Sequence, residues 1–176
     1  MKDIVVFPKK RRQIIFLTLS IMFVLLGAMF ILLSIGEEVQ FILSTIGIVS
    51  IVFFGFCAIY YWKSIKKPKP AVILSTEGIL DHSSYIGAGF VGWNEIEDVT
   101  IVTMGGQHYI GFYTHDPELI IARQSGMKRL FSRMNKGFID TQFNIPIIIL
   151  DCNPEQLYKN IILYKKTYDA SVHNNV

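Results

Sequence analysis

The sequence predicts an α-helical membrane hairpin followed by an α+β domain. Three observations carry that prediction: two charge-free apolar runs, a glycine-punctuated series of β-rich segments after residue 70, and a last stretch with helical apolar spacing. Of 176 residues 51% are apolar, more than a soluble domain of this size needs for its core. Where those residues lie decides the class.

Residues 14–35 form an almost unbroken apolar run, with Thr18, Ser20 and Ser34 as its only polar side chains. Residues 41–62 form a second, and neither run contains a charge. About 20 such residues cross a hydrocarbon core of about 30 Å, and a helix satisfies its own backbone there. A secretory signal would be shorter and followed by a small-residue cleavage site, whereas here Glu-Glu-Val-Gln leads into another apolar run. Neither run has the polar stripe of a soluble helix.

Basic residues set the orientation. Lys2, Lys9, Lys10, Arg11 and Arg12 precede the first run, and Lys63, Lys66, Lys67 and Lys69 follow the second. The connecting turn, residues 36–40, has no basic residue, so both termini are expected in the cytoplasm. Tyr60, Tyr61 and Trp62 then read as an interfacial aromatic belt, with Lys63, Lys66 and Lys67 marking the cytoplasmic exit. Pro68 and Pro70 stop the helix. The expected layout is a basic arm at 1–13, helices at 14–35 and 41–62, a linker at 63–70, a domain at 71–168 and a flexible tail at 169–176.

A five-residue turn forces the helices antiparallel. Ser20, Gly27 and Ser34 recur every seven residues on one face of the first, and Ser44, Gly47, Gly55 and Ala58 fall close to one face of the second. Small residues let backbones approach in lipid, so the hairpin is expected to close along these faces. No ionisable group lies within either span, which argues against transport or proton relay. Cys57 and Cys152 would both lie toward the reducing side and suggest free thiols.

In the remaining hundred residues, AVILST, GILDHSS, FVGW with EIEDVTIVTM, and QHYIGFYT read as strands. In the long one, Val99, Ile101 and Thr103 alternate with Thr100, Val102 and Met104. Gly105-Gly106 is a two-residue hairpin loop. Asp116 and Pro117 suit the N-cap and first turn of a helix beginning at LIIARQ. NIPIIIL is a strand that Pro146 assigns to an edge or bulge. Asn153 caps a last helix in which Leu157, Ile161, Tyr164 and Tyr168 share a face.

Gly78-Ile79, Trp93 followed by Glu95-Ile96, and the Asp116-Pro117 helix start carry a resemblance over nearly the whole chain. With two membrane helices ahead of them, they resemble a family of bacterial two-helix membrane proteins of uncharacterised activity. The cytoplasmic part of that family is similar to the bacterial pleckstrin-homology-like (PH-like) fold. The resemblance implies a bent antiparallel sheet capped by a C-terminal helix, in the bacterial cytoplasmic (inner) membrane. None of its marks is catalytic.

No enzyme class finds its motif. His82, His108, His115 and His173 have no Cys-x-x-Cys, His-x-x-x-His or carboxylate set beside them, so no metal is expected. Ser83 and Ser84 next to His82 point apart along a strand, and Glu95, Glu97 and Asp98 read as solvated turn residues. Gly87-Ala88-Gly89 lacks the rest of a nucleotide-binding glycine motif. No cofactor, small-molecule substrate or nucleic acid is indicated.

Arg123, Lys128, Arg129, Arg133 and Lys136 form a basic stretch without an acid. It reads either as a solvated helix face or as a contact for a protein partner or anionic lipid headgroups. Residues 71–176 hold 8 basic and 11 acidic residues, so the domain is net −3 and would present this one basic face to an anionic leaflet. The expectation is a non-enzymatic membrane protein whose PH-like domain binds protein, itself or headgroups. The alternative is an immunity protein against a membrane-acting bacterial toxin. An envelope-stress or signalling subunit is a weaker third, because the outer turn is too short to sense much.

Overall fold

The computed structural model describes residues 2–35, 40–116, 118–135 and 141–173. The chain forms two compact units, Lys9–Lys69 and the residues on either side of it.

The first unit is a pair of helices, α1 (Lys10–Leu33) and α2 (Gln40–Lys66), both long and apolar enough to cross a membrane. Each extends about one turn beyond its charge-free run on the basic side, because lysine and arginine are good helix formers. Pro68 is the first residue able to stop α2. Ser20, Gly27, Ser34 and Gly47 are buried between the helices. A Cβ on Gly47 would stand 2.6 Å from the Gly27 carbonyl oxygen, and one on Gly27 would stand 2.8 Å from the Gly47 carbonyl oxygen. The backbones therefore touch at this crossing. Ser34 and Ser44 share a 2.7 Å hydrogen bond, Phe23 stacks on Phe54, and Gln13 donates to Ser64 at the basic end. Gly55 departs from the expected seam: nothing lies within 4 Å of where its Cβ would be. The expected acidic turn, Glu37 to Val39, lies outside the described residues.

The second unit begins before the hairpin. Residues 2–8, expected as part of a basic arm, contribute strand β1 (Ile4–Val6). It pairs with β2 (Val72–Leu74), followed by β3 (Gly78–Asp81) and β4 (Gly89–Gly92), in an antiparallel sheet ordered β1-β2-β3-β4. The helical hairpin is thus an insertion between two paired strands. A second sheet is ordered β5 (Ile96–Met104), β6 (Gln107–Thr114) and β7 (Phe143–Pro146). Gly105 and Gly106 both have positive φ, +57° and +72°, as a type I′ hairpin turn requires. Pro146 closes β7, an edge strand of its sheet, where a missing N–H costs no ladder bond.

Trp93, Phe112, Leu74, Ile79, Ile96, Ile110 and Ile145 fill the core. Leu157, Ile161 and Tyr164 of the last helix, α5 (Pro154–His173), join them. Asn153 caps α5 by accepting the Gln156 N–H, and Pro154 occupies its first position. The helix continues to His173, so residues 169–173 of the expected tail are helical. Residues 2–8 are held from several sides. Ala71 donates to the Val6 carbonyl, Asp151 donates to the Phe7 carbonyl, and the Tyr164 hydroxyl donates to the Lys2 carbonyl.

In β5 a register shift between Ile96 and Asp98 brings Ile96 and Val99, three residues apart, both into the core, while Ile101 farther along is exposed. Helix α3 (Leu119–Arg123) begins at LIIARQ as expected, and Asp116 accepts the Glu118 N–H just ahead of it. Pro117 lies outside the described residues.

Two outcomes test these arrangements. Val6→Asp would bury an uncompensated carboxylate in the core and destabilise the sheet domain by roughly 3–5 kcal/mol, read as a lower thermal midpoint of the full chain in detergent. Gly47→Val would force the helices apart at a cost of roughly 1–3 kcal/mol. Its effect should appear in the helical signal of the hairpin and leave the sheet domain's midpoint unchanged.

Candidate functional site

The register of the first sheet defines one end of the domain. Val6 pairs with Val72, Val72 with Asp81, and Asp81 with Gly89. The β1–β2 connection, which carries the helical hairpin, and the β3–β4 loop therefore leave from the same end of the strands.

Asp81 organises that loop. Its carboxylate is buried and accepts the Ser83 N–H at 2.9 Å and the Ala88 N–H at 3.1 Å. Burial pushes its pKa up, against the opposing pull of those hydrogen bonds and of His82. The loop so held presents Tyr85 to solvent.

The segment between β6 and β7 lies against this loop. Arg123 at the end of α3 donates to both carboxylate oxygens of Glu95 and to the Phe90 carbonyl. Glu95 also accepts the Gly92 N–H at 2.9 Å. Gln124 donates to the Ile86 carbonyl and accepts from Ser132, fastening the next helix to the same place. Gly126, with φ of +57°, makes the break between α3 and α4 (Gly126–Asn135) that a residue with a Cβ would resist.

The structure therefore divides the sequence-predicted cations. Arg123 is engaged in an internal ion pair and is no free contact residue. Arg129 and Arg133 are exposed on α4, and the Lys128 ammonium sits 5.9 Å from the centre of the Tyr85 ring. Lys136 lies outside the described residues. Of the expected interfacial anchors, Tyr60 and Trp62 are exposed, Tyr61 stacks on Phe16, and Lys66 lies over the Trp62 ring. Lys63 and Lys66 belong to the last turn of α2, and Lys67 is exposed just beyond it.

Sequence reasoning missed the other half of α4. Met127, Leu130, Phe131 and Met134 are 56%, 52%, 40% and 61% exposed. At 100° per residue they share an arc of about 100°. Their spacing of i, i+3, i+4 and i+7 is legible in the sequence, interleaved with the charges. Phe131 meets Tyr85 edge-on at 6.5 Å, so the apolar face continues onto the β3–β4 loop.

Among the described residues, no group of three or more His, Cys, Asp and Glu side chains is placed to hold a metal ion. Comparison with protein-family models, curated proteins and solved structures finds no match.

The Glu95–Arg123 pair gives a pH prediction. The Arg123 hydrogen bonds hold the Glu95 carboxyl below the usual range, with burial opposing and the Gly92 N–H assisting. Its contribution to stability is present above the unfolded value of about 4.3 and lost as pH falls through the folded one. Glu95→Gln should lower the domain's thermal midpoint at neutral pH by the equivalent of at most about 1 kcal/mol, since the pair is partly solvated. The difference from wild type should close below about pH 4.

Proposed function

We propose that the chain is an integral protein of the bacterial cytoplasmic membrane, with both termini inside, whose PH-like domain binds anionic lipid headgroups without catalysing a reaction. Two apolar helices bounded by basic residues support the membrane placement and its orientation. Antiparallel sheets of four and three strands followed by a long C-terminal helix support the PH-like reading of the domain.

The observation that carries the binding reading is α4. A domain of net −3 gathers Lys128, Arg129 and Arg133 on one short helix that contains no acid. Near an anionic surface each suitably placed cation contributes roughly 1 kcal/mol, so the three together contribute up to roughly 3 kcal/mol. Arg123 adds nothing to this sum, being neutralised by Glu95.

The test uses the full chain in nanodiscs of phosphatidylcholine, with and without phosphatidylglycerol, and follows amide exchange in α4. Protection is expected to rise with phosphatidylglycerol, to fall with added salt, and to be lost in a Lys128→Ala, Arg129→Ala, Arg133→Ala variant. Equal exchange in both lipids would reject headgroup binding. Crosslinks from Lys128 to another protein in native membranes would move the reading to a protein partner.

A further inference from the structure

We propose that α4 is an interfacial helix: it lies along the surface of an anionic bilayer and inserts Met127, Leu130, Phe131 and Met134 among the acyl chains. This rests on the membrane placement above but asks more than headgroup attraction.

Four adjacent large apolar side chains, each two-fifths or more exposed, make no contribution to the domain core. The helix is fastened to its domain through the Ser132–Gln124 hydrogen bond and by Lys128 and the edge of Phe131 against the Tyr85 ring. At 100° per residue, Lys128 and Arg133 flank the apolar arc on its two sides, while Arg129 lies across the helix from it. An apolar face bordered by cations, with no acid, is the pattern of helices that lie in the headgroup–acyl boundary.

A second copy or a soluble partner would also cover apolar surface, but two observations favour the bilayer. The charge on the polar side is all of one sign and complements an anionic leaflet. The end of the sheet at Val6, Val72, Asp81 and Gly89 bears both connections to the apolar hairpin, and the loop held by Asp81 at that end packs against α4 through Tyr85. The tether and the apolar face thus emerge from one end of the same sheet. Tyr85, exposed beside Phe131, extends the inserted surface with a ring suited to the interface.

The experiment is depth measurement by a spin label in the full chain reconstituted in phosphatidylglycerol-containing nanodiscs. Cys57→Ser and Cys152→Ser supply a label-free background, and single labels are placed at Leu130, at Arg129 and at the exposed Glu97 of β5. At Leu130 the label is expected to be reached by oxygen and shielded from an aqueous nickel complex, with the reverse at Arg129 and Glu97. A Leu130 label as open to nickel as the Glu97 label would overturn insertion. So would one shielded from both reagents with broadening between copies, which would place another chain on the face.

A cysteine-intact variant, Leu130→Ser with Met134→Ser, keeps every cation and alters only exposed positions. It should reduce the lipid-dependent exchange protection of α4 roughly tenfold or more, since two large apolar side chains no longer leave water. Retention of full protection would also sink insertion. If phosphatidylglycerol still protects α4 while the Leu130 label stays aqueous, headgroup binding stands and insertion falls. If phosphatidylglycerol has no effect and the label is aqueous, both fall.

Discussion

The pairing of Ile4–Val6 with Val72–Leu74 is the constraint on which the rest of the structure depends, because it joins a domain across two intervening helices. Strands so far apart in sequence do not find each other through a tight turn. Loop-closure entropy rises only slowly with length, so an insertion of this size is tolerable, and a structured one is cheaper than a floppy one. The hairpin supplies that structure. Its helices meet backbone to backbone at Gly27 and Gly47, and Gln13 reaches Ser64 at their basic ends. A hairpin closed in this way returns the chain close to where it left, which is the condition β1 and β2 impose.

The same connectivity gives the sheet an end with a distinct character. Asp81 sits in the last row of pairs beside Val72 and spends its carboxylate on two backbone N–H groups of the following loop. Leaving a carboxylate so buried costs desolvation, seen in its raised pKa, and the loop geometry is what that cost sustains. Glu95 and Arg123 do comparable work for the next layer, joining the start of β5 to the end of α3. With Arg123 held by Glu95, Arg129 and Arg133 are left exposed on α4. Two guanidinium groups close together in sequence, Arg123 and Arg129, thus have unlike surroundings: Arg123 meets a carboxylate and Arg129 is exposed.

Much of this was legible in the residues. The apolar runs, the Gly105-Gly106 turn, the edge position of Pro146 and the Asn153 cap each follow from a local rule that no distant contact overrides. The seam residues Ser20, Gly27, Ser34, Ser44 and Gly47 were readable from spacing, whereas Gly55 shares their chemistry but not their contact. β1 was hidden because three residues, Ile-Val-Val, beside a basic cluster carry little periodicity. Only pairing with a strand beyond the hairpin makes them a strand. The Glu95–Arg123 pair is hidden for the same reason, since its partners are distant in sequence.

Helix α4 is a different kind of omission, and the more instructive one. Its apolar spacing would ordinarily assign Met127, Leu130, Phe131 and Met134 to a core. The core is instead completed by α5, whose Leu157, Ile161 and Tyr164 occupy the space a second amphipathic helix would need. A helix whose apolar face the fold has no room for is stable in water only at a cost, because that face is left solvated. The charge arrangement limits the ways of relieving that cost. A protein surface able to accept four apolar side chains among three unneutralised cations would have to supply acids at matched positions. An anionic bilayer supplies both requirements anywhere on its surface. On the reading proposed above, the helix is fitted to the bilayer beside which its domain would be tethered.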